Sequence, residues 1–299
     1  MKDVYTYSEL PTLAEEPTGT KPVRLGVIGN PIAHSKSPQM QQAALDQAGI
    51  NAAYIRILCS MEPESFPPLL SRLSALNFIG VNVTVPFKRL AFAACCSTDA
   101  LSGLSKAVNT MVLCPDGWHG YNTDGPGFAR AIAELTGREL GTLRVLILGA
   151  CGGAGSALAC QCALSGCPSL TLVNRPKPAL EELRSLLSPL LPDKVQTCCF
   201  GDSGLEKHIT EADLIVNATS LGLQDGDSLP IPPSYLHPNQ YYYDIVPHDT
   251  PLRQRAAARG CQTSDGLGML LWQGAYAFQH WFGILPDIAP MRRALRLQP

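Results

Sequence analysis

Residues 144–155 read Arg144-Val145-Leu146-Ile147-Leu148-Gly149-Ala150-Cys151-Gly152-Gly153-Ala154-Gly155, and small or apolar residues continue to Leu164. A short apolar run bounded by glycine predicts a buried strand, and the glycine-rich segment after it opens a helix. At such a strand–loop–helix junction, glycines let backbone N–H groups approach a pyrophosphate at the helix N-terminus. The spelling is not a strict GxGxxG, because Cys151 stands at the second glycine place. The same loop also reads as a turn needed only for packing. Around it, strands are expected over 169–174, 214–219 and 241–246, with helices over 128–135 and 179–187. This βαβ series is a dinucleotide-binding pattern.

The end of the next strand reports which dinucleotide. An acid there would hold the ribose 2′-hydroxyl of NAD, whereas a cation would hold the 2′-phosphate of NADP. The chain reads Val173-Asn174-Arg175 with Lys177 close by and no acid until Glu181. That favours NADP(H), with Arg175 as a solvated surface charge the plainer alternative.

Working outward, the first half also alternates strand and helix. Strands are expected over 24–29, 54–58 and 80–85, helices over 39–48 and 66–76, and a hairpin over 107–121 through Pro115-Asp116-Gly117. The fold class is therefore α/β with a mainly parallel sheet. Residues 1–22 read as an extension without regular structure. A helical stretch over 266–282 carries one conspicuous polar residue, Gln273, and a last helix lies near 290–297.

Two segments of this half concentrate polar chemistry. Val81-Asn82-Val83-Thr84-Val85-Pro86-Phe87-Lys88 reads as a strand that stops at a proline, which has no N–H for the ladder, and then presents a lysine. Gly120-Tyr121-Asn122-Thr123-Asp124-Gly125 places a carboxylate in a glycine-flanked turn. Together they suggest a polar pocket for a small hydroxylated molecule, with Lys88 suited to acid/base work. Ser35 and Ser37 either cap the helix that begins near Pro38 or point hydroxyls at an anionic ligand there.

Composition bounds the rest. A chain of 299 residues, 45% hydrophobic and 16% charged, suggests two globular domains. A net charge of −2 gives no reason to expect a nucleic-acid or membrane partner. Eleven scattered cysteines without a CxxC pair argue for reduced thiols in the cytoplasm rather than a disulfide framework. Cys160 and Cys162 with a histidine offer a metal set in principle, but cysteine commonly acts as a small apolar residue, and no metal site is expected. Residues 1–21 lack the apolar run of a signal peptide. The apolar stretch 145–164 reads as buried strand and helix, not a membrane span.

At this point the residues resemble a known family, shikimate dehydrogenase, along nearly all of the chain after residue 22. The motifs come in the family's order. Gly29-Asn-Pro-Ile-Ala-His-Ser35-Lys-Ser37-Pro38 is followed by Asn82-Val-Thr-Val-Pro-Phe-Lys88 and Ala107-Val-Asn109-Thr110. Gly120-Tyr-Asn-Thr-Asp124, the glycine loop and Asn174-Arg175 come next, then Asn217-Ala-Thr-Ser-Leu-Gly222 and Asp265-Gly-Leu-Gly-Met-Leu-Leu-Trp-Gln273-Gly. The resemblance implies reversible reduction of 3-dehydroshikimate to shikimate with NADPH, on the chorismate route to aromatic amino acids. It implies Lys88 and Asp124 as the catalytic pair, and Ser35, Ser37, Thr84, Asn109 and Gln273 as substrate ligands. It implies Gly149, Ala150, Gly152, Gly153, Ala154, Asn174, Arg175, Lys177, Thr219, Gly266 and Met269 around NADP(H). It further implies a substrate domain over 23–124 plus 266–299, a Rossmann-like NADP domain over 125–265 and a cleft between them. The small-molecule substrate is the expected partner, and the assembly a monomer or homodimer.

The chain departs from the family in four places. Gln41-Gln42 replace His-Asn, Cys151 replaces a glycine, and Pro176 and Ala179 replace a threonine and a frequent second cation. The stretch Asp244-Ile-Val-Pro247-His-Asp-Thr-Pro-Leu252 is two residues short and has Pro247 in place of a tyrosine, with His248 beside it. A quinate/shikimate dehydrogenase with broader substrate or NAD use is the first alternative, and a non-catalytic metabolite sensor the second.

Overall fold

The computed structural model describes residues 2–15, 21–175, 177–222, 224 and 226–297. It divides into two compact units, residues 1–123 with 273–299, and residues 124–272.

The first unit is built on seven strands, β1 (Val4–Thr6), β2 (Val23–Gly29), β3 (Ala53–Leu58), β4 (Gly80–Val83), β5 (Ser97–Thr98), β6 (Thr110–Cys114) and β7 (Gly117–Tyr121). Their order in the sheet is β1-β3-β2-β4-β6-β7-β5. The first four run parallel, β6 is antiparallel to both neighbours, and β5 joins β7 in parallel. Helices α1 (Ser37–Gln47), α2 (Phe66–Ala75), α3 (Lys88–Ala94) and α4 (Ala100–Ser105) connect them. The buried run of β2 and the Phe66, Leu69, Leu70, Leu73 stripe of α2 show why this sequence packs as sheet and covering helix.

Three expectations are corrected here. Residues 1–22 are not a structureless extension, since Val4–Thr6 extend the sheet beside β3. The cause is apolar burial, because Tyr5 and Leu10 join the core of this unit. Strand β4 stops at Val83, not at residue 85. Phe87 N–H bonds the Thr84 carbonyl at 3.0 Å, so a turn over residues 84–87, with Pro86 inside it, takes over from the ladder. Asp124 is not in a turn but is the first residue of a helix, with Pro126 in the first turn where a missing N–H costs nothing.

That helix, α5 (Asp124–Thr136), opens the second unit. It is followed by β8 (Arg144–Leu148), α6 (Gly153–Leu164), β9 (Ser169–Asn174), α7 (Lys177–Leu187), β10 (Val195–Cys199), α8 (Leu205–Glu211) and β11 (Leu214–Asn217). Then come β12 (Tyr241–Asp244), α9 (Pro251–Ala258), β13 (Gln262–Ser264) and α10 (Leu267–Phe282). The chain returns to the first unit at Gln273, inside α10, and ends with α11 (Ile288–Ala294). The six strands are parallel throughout, in the order β10-β9-β8-β11-β12-β13. Numbered by succession that is 3-2-1-4-5-6, the Rossmann order, with its switch point between β8 and β11. Among the described residues, no helix is long and apolar enough to cross a membrane.

The two switch-point strands are tied at their starts by one ion pair. Arg144 donates to Asp213 from its backbone N–H at 2.9 Å and from its guanidinium at 3.2 and 2.7 Å. Partial burial pushes the Asp213 carboxyl up, but these donors outweigh it and hold the group below the usual aspartate value of 3.8. A lowered folded-state value gives stability that is present above 3.8 and lost as pH falls through the folded value. Urea unfolding at stepped pH should therefore show Asp213→Asn less stable than the parent at neutral pH, with the gap closing in the acid range. A gap that does not depend on pH would contradict this.

Candidate active site

In the first unit, a chain of buried amides and hydroxyls starts from β4. Asn82 is 5% exposed and flanked by buried valines. Its Oδ1 accepts from the Tyr54 hydroxyl at 2.8 Å, and its Nδ2 donates to the Thr110 hydroxyl at 3.0 Å and the Asn109 carbonyl at 3.2 Å. Asn109 in turn accepts from the Thr123 N–H at 2.8 Å. It donates to the Thr123 hydroxyl at 3.1 Å and to Gln273 Oε1 at 3.5 Å. The Thr110 and Thr123 hydroxyls are 3.1 Å apart. Buried amides must be paired, so each bond fixes the next residue. Burial pushes the Tyr54 phenol far up, a shift that the Ser37 hydroxyl opposes. Tyr54 is thus a neutral donor that joins α1 to β4.

The expected residues of this unit fall into place around that chain. Ser37 is buried at the start of α1, and its N–H bonds the Ser35 hydroxyl at 3.3 Å. Arg56 donates twice to the Ser35 carbonyl, at 3.1 and 2.6 Å. The helix lacks a side-chain cap at Lys36, so both serines stand at an N-terminus whose dipole favours an anion. Thr84 is half-buried just past β4, and Lys88, also half-buried, opens α3. Asp124 directly follows Thr123 in the chain but belongs to the second unit, where it is 8% exposed.

Sequence reasoning missed Tyr54, which sits in a mostly apolar strand where a tyrosine reads as a packing residue. It also undervalued Gln41, which is fully buried and donates to the Gly274 carbonyl at 2.9 Å. The replacement of histidine at this place therefore puts a structural amide against α10.

In the second unit, a cavity of about 760 Å³ opens at the switch point, lined by Gly149, Cys151, Gly152, Asn174, Arg175 and Thr219 together with Phe200 and Leu229. Gly149 has φ of +80°. A Cβ on Gly155 would run into the Gly149 carbonyl. These two positions therefore need glycine, one for backbone conformation and one for close approach. Gly153 and Ala154 form the first turn of α6, with Gly152 at its N-cap and Ala150 N–H on the Val173 carbonyl at 3.1 Å. Burial pushes the Cys151 thiol up, while a hydrogen bond with Asn174 pulls the other way.

Thr219 donates its hydroxyl to Asn217 Oδ1 at 2.7 Å, and Asn217 donates to buried Asp244 at 3.1 Å. Asp244 also accepts from the Thr250 hydroxyl at 2.7 Å and the Val246 N–H at 3.0 Å, which shapes the shortened loop around Pro247. His248 is exposed, and its Nε2 lies 3.0 Å from the Gly222 carbonyl. Gly266 packs where a Cβ would strike the Ile245 carbonyl, and Met269 N–H bonds the Tyr243 hydroxyl at 3.1 Å. Lys177 opens α7, but its side chain lies outside the described residues. Cys160 and Cys162 are fully buried in α6, and burial pushes the first thiol up to about 12 and the second well above its ordinary range. Neutral thiols in an apolar core do not suit a metal.

Comparison with known proteins follows this geometry. Residues 27–111 match the shikimate dehydrogenase substrate binding domain, and residues 266–296 the shikimate 5'-dehydrogenase C-terminal domain. A shikimate dehydrogenase (NADP(+)) of Moorella thermoacetica is 40% identical over 276 residues, 91% of this chain and 92% of that protein. The solved shikimate 5-dehydrogenase of Thermus thermophilus, in complex with NADP(H) and shikimate, is 33% identical. It superposes with a TM-score of 0.81 over 92% of this chain and 98% of its own. A quinate dehydrogenase of Corynebacterium glutamicum in complex with NAD is 28% identical, with a TM-score of 0.82 over 92% and 98%.

The glycine loop provides a direct check. Gly155→Ala should destabilise the protein by about 1–3 kcal/mol, the usual cost of overpacking against atoms that cannot retreat. An unchanged urea midpoint would show that α6 can shift off the Gly149 carbonyl.

Proposed function

The chain belongs to the shikimate dehydrogenase family, and on that premise we propose that it catalyses the reversible reduction of 3-dehydroshikimate to shikimate with NADPH. The observation that carries the proposal is the cavity at the β8/β11 switch point, whose β9 side ends in Arg175 rather than an acid. Its residues fit NADP(H). The glycines at 149, 152 and 153 would let a pyrophosphate approach the start of α6, and Arg175 would hold a 2′-phosphate. Ala150, Gly153, Ala154, Asn174, Lys177, Thr219, Gly266 and Met269 complete the cofactor set. The bound nicotinamide supplies the hydride chemistry.

This chain's own residues bind, orient and move the proton. Ser35 and Ser37 hold the substrate carboxylate at the favourable end of α1. Thr84, Asn109 and Gln273 accept or donate to ring hydroxyls, and the buried amide chain keeps Asn109 in one orientation. Lys88 and Asp124 share the proton of the reacting hydroxyl, which must depart as its carbon is oxidised. Residues 23–124 with 266–299 serve the substrate, and 125–265 the nucleotide. The eleven cysteines without a CxxC pair suit a reducing, cytoplasmic setting. The competing reading is a quinate-accepting enzyme, favoured by the likeness to the quinate dehydrogenase.

Initial rates with shikimate or quinate, each crossed with NADP⁺ or NAD⁺, distinguish the two. The proposal expects rapid shikimate-dependent NADPH formation with quinate and NAD⁺ poor, whereas a preference for quinate or NAD⁺ would overturn it. Lys88→Ala and Asp124→Asn should each lower turnover by roughly 10²–10⁴-fold with little change in the KM for NADP⁺. Arg175→Ala should raise that KM by at least about tenfold, a loss of roughly 1.4 kcal/mol of binding. Falls under about threefold for both Lys88 and Asp124 would remove them from the mechanism.

A further inference from the structure

Outside the residues given roles above, the edge of the first unit's sheet gathers three side chains of different chemistry. The β6–β7 hairpin turns at Pro115-Asp116, and β7 then carries His119. Strand β5 pairs with β7 in the register Ser97↔His119, which draws Cys96, just before β5, against the hairpin. Cys96 N–H bonds the Trp118 carbonyl at 2.9 Å, so its backbone is fixed to β7. The Cys96 sulfur, an Asp116 carboxylate oxygen and an imidazole nitrogen of His119 lie within 4.8 Å of one another. His119 Nε2 is 2.9 Å from Asp116 Oδ1, and Cys96 Sγ is 4.0 Å from Asp116 Oδ2.

We propose that Cys96, Asp116 and His119 form a surface site for a divalent cation of the zinc class. A thiolate, an imidazole and a carboxylate are the three ligand types that Zn²⁺ takes, and three protein ligands leave a fourth place for water. With metal–ligand bonds of about 2.0–2.3 Å, a tetrahedral site needs ligand atoms roughly 3.3–3.8 Å apart, so side-chain rotations that close the wider gaps by about 1 Å and open the His119–Asp116 contact complete it. The three residues are exposed or half-buried, so neither entry nor rotation is blocked. On binding, the Cys96 S–H bond breaks, its proton passes to solvent, and an S–metal bond forms, while the His119 Nε2–Asp116 hydrogen bond breaks and the imidazole ligates as the neutral tautomer with its proton on Nδ1. The thiol gives up its present bond to the Trp118 carbonyl, at 3.3 Å, in exchange. The bound ion clamps the hairpin turn to β5, a two-residue strand at the sheet edge. Twenty residues of chain separate Cys96 from Asp116, so only the β5–β7 pairing reveals the set.

Titration of the reduced, metal-free full chain with Co²⁺ and then Zn²⁺ tests the site. One equivalent of Co²⁺ should release a proton and give a thiolate charge-transfer band with the visible bands of a tetrahedral ion, and Zn²⁺ should then displace it with no further proton release. Cys96→Ser should abolish the charge-transfer band, and Asp116→Asn and His119→Gln should each weaken binding by at least about tenfold. Zn²⁺ should raise the unfolding temperature of the parent but not of Cys96→Ser. Circular dichroism of the three surface variants verifies that they fold. Absence of saturable uptake, or uptake and spectrum unchanged in Cys96→Ser and His119→Gln, would overturn the proposal.

Discussion

The first unit depends on one constraint, that Asn82 and Asn109 are buried amides and every polar atom they carry must find a partner in the same interior. The partners come from distant parts of the chain. Tyr54 reaches in from β3, Thr110 opens β6, Thr123 closes the segment after β7, and Gln273 arrives on α10. Satisfying two side chains therefore fixes three strands, the returning part of α10 and the residue that precedes Asp124. The polar residues proposed to serve a substrate sit on or beside this frame, which is why a loop-rich region holds defined positions.

The second unit solves a different problem with different means. A parallel six-stranded sheet leaves a crevice where the strand order reverses, and the chemistry of that crevice is set by what the β8–α6 loop lacks. Gly149 adopts a conformation that side chains resist, and Gly155 lets the helix pack against the Gly149 carbonyl. The buried carboxylate of Asp244 ties Asn217, Val246 and Thr250 together behind the crevice. The shortened segment with Pro247 is thus an ordered loop anchored on Asp244, with His248 turned to the Gly222 carbonyl.

The parts of this architecture legible in the sequence are those that local pattern dictates. The glycine loop, the buried strands β2, β8, β9 and β11, and the amphipathic α2 announce themselves through apolar runs, periodicity and glycine spacing. The family resemblance added site residues that no pattern alone would assign. What escaped depends on tertiary context. Strand β1 has three residues and is held by pairing with β3 and by the burial of Tyr5, neither visible in the first 22 residues. The edge strands β10 and β13 are short and carry mixed polar residues, so they lack an alternation to read. Asp124 read as a turn residue because its glycine neighbours look like a turn, whereas Pro126 and the apolar face of α5 make it a helix start. Gln41, read only as a departure from the family's histidine, is a fully buried donor to α10.

The claim that buried amides order the first unit is tested most directly by a double-mutant cycle in urea unfolding with Asn109→Ala, Thr123→Ala and the pair. Three hydrogen bonds or close polar contacts join these side chains and backbone, at 2.8, 3.1 and 3.2 Å. The account predicts a coupling of about 1–3 kcal/mol, in the range seen for residues that share a buried network. Additivity within about 0.5 kcal/mol would contradict it, and would mean that the turn before Asp124 is held by other contacts.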